Sequence, residues 1–224
     1  MNLIYLSLDL KIELKRDLVN TIVVESPFIY RTLVGDMIKS INGETTNWVL
    51  ADIGGEHNWK KDVYLVTDFF TLDFNNRTLL SKLQQRLANI AQENVGDLFD
   101  INGKIQKFLY TIEDAIPLNL VHNEDINALD LIKMAGVRID EEAFDLIDQS
   151  ISFIDVVMEL LHPKLIVLLH PRCFMTQDEL GLFFSTVLSK KIPILCIEQN
   201  LADQIQIVDN KEVVYTIDSD YCVF

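Results

Sequence analysis

Cysteine and long apolar runs are scarce in this sequence of 224 residues. Its three cysteines, Cys173, Cys196 and Cys222, stand far apart and outside any CxxC pair, which argues against a disulfide framework and a zinc site. The longest apolar stretches, such as Leu165–Leu169, fall far short of the roughly 20 residues that a membrane span needs. No secretory signal is visible at the N-terminus. We therefore expect a cytoplasmic protein with no membrane association.

A glycine-rich phosphate-binding loop is also missing. The strand Thr21–Val24 runs into a helix where a nucleotide-binding α/β protein has that loop, but residues 25–32 contain no glycine and no Gly-Lys-Ser/Thr motif. Glycines let consecutive N–H groups approach a phosphate, and Glu25 would repel the anion. We therefore expect no nucleotide hydrolysis. A GxSxG nucleophile motif is absent as well.

A few carboxylates keep an enzymatic alternative open. Asp68 and Glu198 each end an apolar run, as Mg²⁺-binding carboxylates do, and Asp68 and Asp73 flank one loop, as a nuclease with paired carboxylates would require. Carboxylates at strand ends are common, however, and Asp73 to Asn76 more simply ends a loop and caps the next helix. We favour the structural interpretation, and an active NTPase or nuclease is the third hypothesis.

Positive charge is the other deficit. The chain has 19 Lys plus Arg against 34 Asp plus Glu, for a net charge of −15. Because 49% of its residues are hydrophobic, it can bury a sizeable core, which excludes general disorder.

The apolar pattern at both ends of the chain predicts strands that alternate with helices. Leu3–Leu14 alternates like a hairpin, and Ser26 with Pro27 begins a helix that reaches Ile41. Thr176 and Glu179 form a capping-box pattern before a later helix. Strands are predicted at Thr21–Val24, Trp48–Ala51 (weakly), Val63–Val66, Leu165–Leu169, Ile192–Ile197 and Val213–Ile217.

Between these ends, residues 76–161 have helical periodicity, with the last amphipathic segment at Phe144–Leu161. The fold class is therefore α/β: a mostly parallel sheet with helices, built from residues 1–75 and 162–224, and interrupted by an all-helical insertion domain at 76–161.

Acidic residues gather within the insertion. Glu124 and Asp125 precede a predicted helix at Ile126–Ala135 that carries Asp130. They are candidate ligands for a metal ion, although Asp125 and Asp130 do not share one helix face. The alternative is that Asn123 caps the helix while the two acids complement its dipole.

Several segments, in order, resemble one known family. They are Tyr64–Asp68, Leu72–Asn75, Leu129–Arg138, Lys164–His170 and Phe174–Glu179. Together they resemble the adaptation protein family of type II-A CRISPR systems, the second member of the Csn family, through nearly the whole chain.

The resemblance implies a non-enzymatic, ring-shaped homotetramer that binds ends of double-stranded DNA and threads the duplex through its hole. It implies a role in spacer acquisition with the CRISPR integrase proteins and the effector nuclease, and a degenerate nucleotide-binding fold. It also implies bound calcium, with Glu124, Asp125 and Asp130 similar to the family's acidic helix start. Upstream, however, Pro117–His122 carries no carboxylate.

An acidic chain can bind DNA where its basic residues line one channel. The candidates are Lys133 and Arg138 in a matched segment, then Lys104 and Lys107. The alternative for all four is a solvated helix face. The alternative for the whole protein is an interaction subunit with a degenerate nucleotide-binding fold and no direct role at DNA.

Overall fold

The computed structural model describes residues 1–141, 145–201, 204–220 and 222. Within these ranges the chain forms nine strands and seven α-helices. The strands are β1 Asn2–Tyr5, β2 Leu10–Glu13, β3 Val19–Val24, β4 Trp48–Asp52, β5 Gly55–Glu56, β6 Val63–Val66, β7 Leu165–Leu169, β8 Ile194–Gln199 and β9 Glu212–Ile217. The helices are α1 Pro27–Ile41, α2 Trp59–Asp62, α3 Arg77–Ala91, α4 Val95–Glu113, α5 Ala128–Met134, α6 Leu146–Leu161 and α7 Gln177–Ser189.

The predicted parallel sheet is confirmed. Five strands pair in the order β6-β7-β8-β3-β9, and every pair is parallel. All residues of β3 and β7 are buried. Since successive strand residues point to opposite faces, both faces of the sheet are covered, as in other α/β proteins.

A second sheet is antiparallel and has the order β2-β1-β4-β5. The predicted hairpin forms its β1–β2 pair, and the weakly predicted strand is β4. Strand β5 and helix α2 follow β4, in a stretch for which the sequence pattern predicted no element. Side chains of this sheet, of α1 and of one face of the parallel sheet share a single hydrophobic core.

Two predicted helix starts are confirmed. Helix α1 begins at Pro27 after Ser26, although the Ser26 side chain makes no capping hydrogen bond. At α7, the Thr176 hydroxyl accepts from the Glu179 amide, and the Glu179 carboxylate accepts from the Thr176 amide at 2.7 Å. No helix in the described ranges has both the length and the apolarity needed to cross a membrane.

The chain divides into two units, and the boundary differs from the predicted one. The α/β unit consists of Met1–Leu72 and Glu142–Phe224, and the helical unit is Asp73–Glu141. Helix α6 therefore belongs to the α/β unit, not to a helical domain reaching residue 161. It packs against α7, and Phe153 lies 6.0 Å from the Tyr64 ring. The predicted start of this helix, Phe144, lies outside the described residues.

A buried ion network joins four segments of the α/β unit. Arg172, after β7, donates to both carboxylate oxygens of Glu212 at 2.7 Å. The Thr21 hydroxyl donates to the same carboxylate. Glu198 on β8 accepts from the Arg172 amide at 3.2 Å. Both glutamate side chains are almost fully buried, so they depend on Arg172 for charge compensation.

Replacing Arg172 with Met should therefore lower the free energy of unfolding by about 3–5 kcal/mol, because two carboxylates would stay buried without their cation. Urea unfolding followed by fluorescence measures this, since both tryptophans, Trp48 and Trp59, lie in the α/β unit. Lys190→Met, which removes a more exposed ion pair with Asp155, is the control and should cost less than about 1 kcal/mol. Equal losses of unfolding free energy in the two variants would contradict the role of Arg172 in charge compensation.

Candidate functional site

The helical unit has a small core and a largely exposed surface. Its described residues bury only four apolar side chains: Phe74, Leu79, Ala88 and Ala128. Helices α3 and α5 pack against each other, whereas α4 buries none of its residues completely. A unit of this composition leaves most of its helix faces available for binding.

The four predicted DNA-binding residues all lie in this unit and are exposed. Lys104 and Lys107 are three positions apart on α4, so they share one side of that helix. Lys133 occupies the last turn of α5, and Arg138 follows that helix. Ion pairs between described residues involve none of the four. The four residues lie on three separate segments: α4, α5 and the stretch that follows α5.

Helix α3 carries cations that the sequence analysis missed. It contains Arg77, Lys82 and Arg86, all exposed, and no carboxylate. Lys82 and Arg86 are one helical turn apart, on the same side as Gln85 and Asn89. A stretch without acidic residues in a chain of net charge −15 is the signal that could have revealed this helix.

Asn75 fixes the backbone next to Arg138. Its Oδ1 accepts from the Ile139 amide at 2.8 Å, and its Nδ2 donates to the Ile139 carbonyl at 2.9 Å and to Glu141 Oε1 at 2.7 Å. The side-chain amide thus pairs with a backbone 64 residues away as a neighbouring strand would. The same residues, with Arg138 and Asp140, line a cavity of about 510 Å³.

The candidate metal ligands are not gathered into a site. The helix begins at Ala128 and its N-cap is Asn127, not Asn123, so Glu124 and Asp125 precede the helix. The Asp130 carboxylate accepts from Asn127 Nδ2 at 2.7 Å. In the described part of the chain, no three His, Cys, Asp or Glu side chains are placed to hold a metal ion. The described carboxylates of a single chain therefore do not by themselves form the calcium site that the family resemblance implies.

The carboxylates considered for an enzyme have structural partners. Asp68 accepts from the Phe70 amide at 2.8 Å, and this hydrogen bond lowers the pKa of its carboxyl group. The Thr71 hydroxyl donates to Asp68 as well. Asp73 accepts from the Asn75 amide at 2.9 Å, and Asn76 caps α3. Glu198 belongs to the Arg172 network, so each of these carboxylates has a hydrogen-bond partner within the protein.

The exposed surface of α4 is also strongly apolar. Its large exposed side chains are Val95, Phe99, Ile101, Phe108, Tyr110 and Ile112. Phe99 is 77% exposed, and the apolar character continues past the helix to Val121, which is 97% exposed. By their spacing, Phe99 and Tyr110 lie on one side of α4, and Ile101, Phe108 and Ile112 on the opposite side. Exposed apolar surface of this kind marks sites of protein association.

If Asn75 holds the backbone beside Arg138, Asn75→Ala should expose the Ile139 amide. We expect that amide to exchange roughly five- to tenfold faster, as the loss of one net hydrogen bond implies. Residue-resolved hydrogen exchange measures the rate. Asn89→Ala is the matched control, since the Asn89 side chain accepts from Gln85 Nε2 one turn earlier on the exposed side of α3. An unchanged Ile139 rate in Asn75→Ala would disprove this role.

Comparisons with known proteins agree with the resemblance found in the sequence. The CRISPR-associated protein family Cas_Csn2 matches residues 44–221. A CRISPR-associated protein Csn2 of Streptococcus agalactiae is 26% identical over 124 residues, which are 53% of this chain and 54% of that protein. The match thus spans about half the length of this curated relative.

Among solved structures, a nucleotide-free ATP-binding cassette from an ABC transporter aligns with 93% of this chain and 79% of its own, at a TM-score of 0.45 and 14% identity. The family match, which covers most of the chain, decides its identity. This protein belongs to the Csn2 family of CRISPR-associated proteins and has its role in a CRISPR system.

Proposed function

We propose that this protein binds the ends of double-stranded DNA without catalysis, as a ring-shaped homotetramer, during the acquisition of CRISPR spacers. One observation carries the proposal: in a chain of net charge −15, the helical unit presents exposed cations on three helices. The unit as a whole is not basic, because its seven Lys and Arg face eleven Asp and Glu. Phosphates would therefore be attracted only along the sides on which these cations lie, above all along α3, which has no carboxylate.

The cations suit contact with the DNA backbone. Lys82 on α3, Lys104 and Lys107 on α4, and Lys133 on α5 have exposed side chains that can reach phosphates without reading bases. Few such contacts are available in one chain, and affinity for DNA grows with the number of phosphates neutralised. A symmetric assembly multiplies the contacts by repeating the same residues around the duplex.

Self-association of this chain would bury the apolar surface of α4. This helix buries none of its residues completely in its own chain, and it exposes Phe108 and Ile112 on one side and Phe99 on the other, so covering either side would bury apolar surface. A second copy of the chain is the proposed occupant, in line with the homotetramer that the family resemblance implies.

Threading explains why ends would be favoured. If the cations line the hole of a closed ring, a duplex enters it through a free end. The acidic remainder of the surface suppresses binding alongside the DNA. The CRISPR integrase proteins and the effector nuclease are the proposed partners of the DNA-loaded ring, in the cytoplasm.

The second candidate function is a protein-interaction subunit with a degenerate nucleotide-binding fold. It is favoured by the carboxyl edge of the parallel sheet, where protein groups take the place of a phosphate loop. There Gln199 Nε2 donates to the Glu25 carbonyl at 3.4 Å, and the His170 ring lies 4.8 Å from the Tyr30 ring. Burial raises the pKa of Tyr30 to about 12.

A gel shift on one duplex sequence separates the two functions. We expect the protein to shift the linear duplex, but neither the same duplex closed into a circle nor a linear form whose biotinylated ends are blocked by streptavidin. The shift should weaken steeply as salt increases. Equal binding to all three forms would rule out threading, and no binding to any would favour the interaction subunit. ATP hydrolysis that Asp68→Asn reduces would favour the enzyme instead.

Lys133→Glu should weaken binding to the linear duplex by roughly tenfold or more, because each subunit then repels a phosphate that it would otherwise neutralise. The slope of log affinity against log salt concentration should fall in magnitude by roughly one for each phosphate that is no longer neutralised. Lys60→Glu changes an exposed residue of α2 in the α/β unit by the same charge and is the control. Equal losses of affinity in both variants would mean that only net charge matters, and would remove Lys133 from the channel.

A further inference from the structure

The segment between α4 and α5, residues 114–127, contains neither helix nor strand. Its backbone N–H and C=O groups cannot pair within a regular ladder, so they need other partners wherever water does not serve them. This segment includes Glu124 and Asp125, for which the family resemblance implies calcium. Contacts with side chains of other elements can therefore hold this segment in place.

Asn102 of α4 pairs with Ile126 in both directions. Its Oδ1 accepts from the Ile126 amide at 3.1 Å, and its Nδ2 donates to the Ile126 carbonyl at 3.0 Å. One amide side chain thus satisfies both polar backbone groups of the residue just before the Asn127 cap.

Gln106, one turn further along α4, binds residues that precede Ile126. Its Nε2 donates to the Asn123 carbonyl at 2.9 Å and to the Glu124 carbonyl at 2.8 Å. Its Oε1 lies 2.6 Å from His122 Nε2, and His122 Nδ1 lies 2.6 Å from Glu113 Oε1. Side chains of α4 thus contact both ring nitrogens of His122.

We call this set of contacts the α4 clamp. It consists of Asn102, Gln106 and Glu113 on the helix and His122 on the segment. Positions 102, 106 and 113 are four and seven apart, so they lie along one side of α4. The α4 side chains of the clamp contact residues 122, 123, 124 and 126 of the segment.

Calcium commonly holds such a segment by binding carboxylates and backbone carbonyls. Here the carbonyls of Asn123, Glu124 and Ile126 already accept from side-chain amides. The Asp130 carboxylate is bonded to the helix cap. We propose that the α4 clamp takes the place of calcium in this chain, so that the segment before α5 is set without a metal ion. This proposal is independent of the proposed binding to DNA.

Hydrogen exchange of the Ile126 amide tests the proposal, because that N–H donates to Asn102 Oδ1. The full chain is compared in calcium chloride and in EGTA. We expect equal protection of Ile126 in both solutions. Protection that appears only in calcium, and that Glu124→Gln removes, would overturn the proposal.

Variants of Asn102 test the clamp itself. Asn102→Ala should make the Ile126 amide exchange roughly five- to tenfold faster in both solutions. Asn102→Asp keeps the acceptor oxygen and should retain most of the protection, which separates a lost hydrogen bond from general unfolding. Gln85→Ala, an exposed amide on α3 of the same unit, is the matched control and should leave Ile126 unchanged. An unchanged Ile126 rate in Asn102→Ala would overturn the clamp.

Discussion

The helical unit buries too little apolar surface of its own to be held by packing alone. Four buried apolar side chains among the described residues of Asp73–Glu141 provide only a small hydrophobic contribution. Hydrogen bonds from side-chain amides to irregular backbone supplement it. The proposed assembly would supplement it further by covering exposed surface of α4.

The amide contacts share one chemical logic. Asn75 and Asn102 each present an acceptor and a donor to the N–H and C=O of a single residue, Ile139 and Ile126 respectively. A carboxylate could satisfy only the N–H, and an aliphatic side chain neither. These asparagines therefore replace a missing strand neighbour, and they fix the two irregular segments that flank α5. Lys133 on α5 and Arg138 after it thus rest on a defined backbone.

The fold was predictable where its cause was local. The all-apolar run Leu165–Leu169 indicated a strand buried on both faces, and the Thr176–Glu179 pair marked the start of α7. The assignment of α6 was wrong because amphipathic spacing shows that a helix has an apolar face, but not which unit covers it. Strand β5, only two residues long, has no period to detect.

Of the candidate site, the exposure of its residues was predictable for a similar reason. Exposed cations can be chosen from the sequence, and Lys104, Lys107, Lys133 and Arg138 are all exposed. The contacts of Asn75 span 64 residues and those of Asn102 span 24, and such side-chain-to-backbone pairs leave no periodic signal. The N-cap was misplaced by four residues because Asn123 and Asn127 are equally suitable caps. The helix starts after Asn127 because the Asn127 side chain accepts from the Asp130 amide at 3.0 Å, whereas the carbonyls of Asn123 and Glu124 accept from Gln106 of α4.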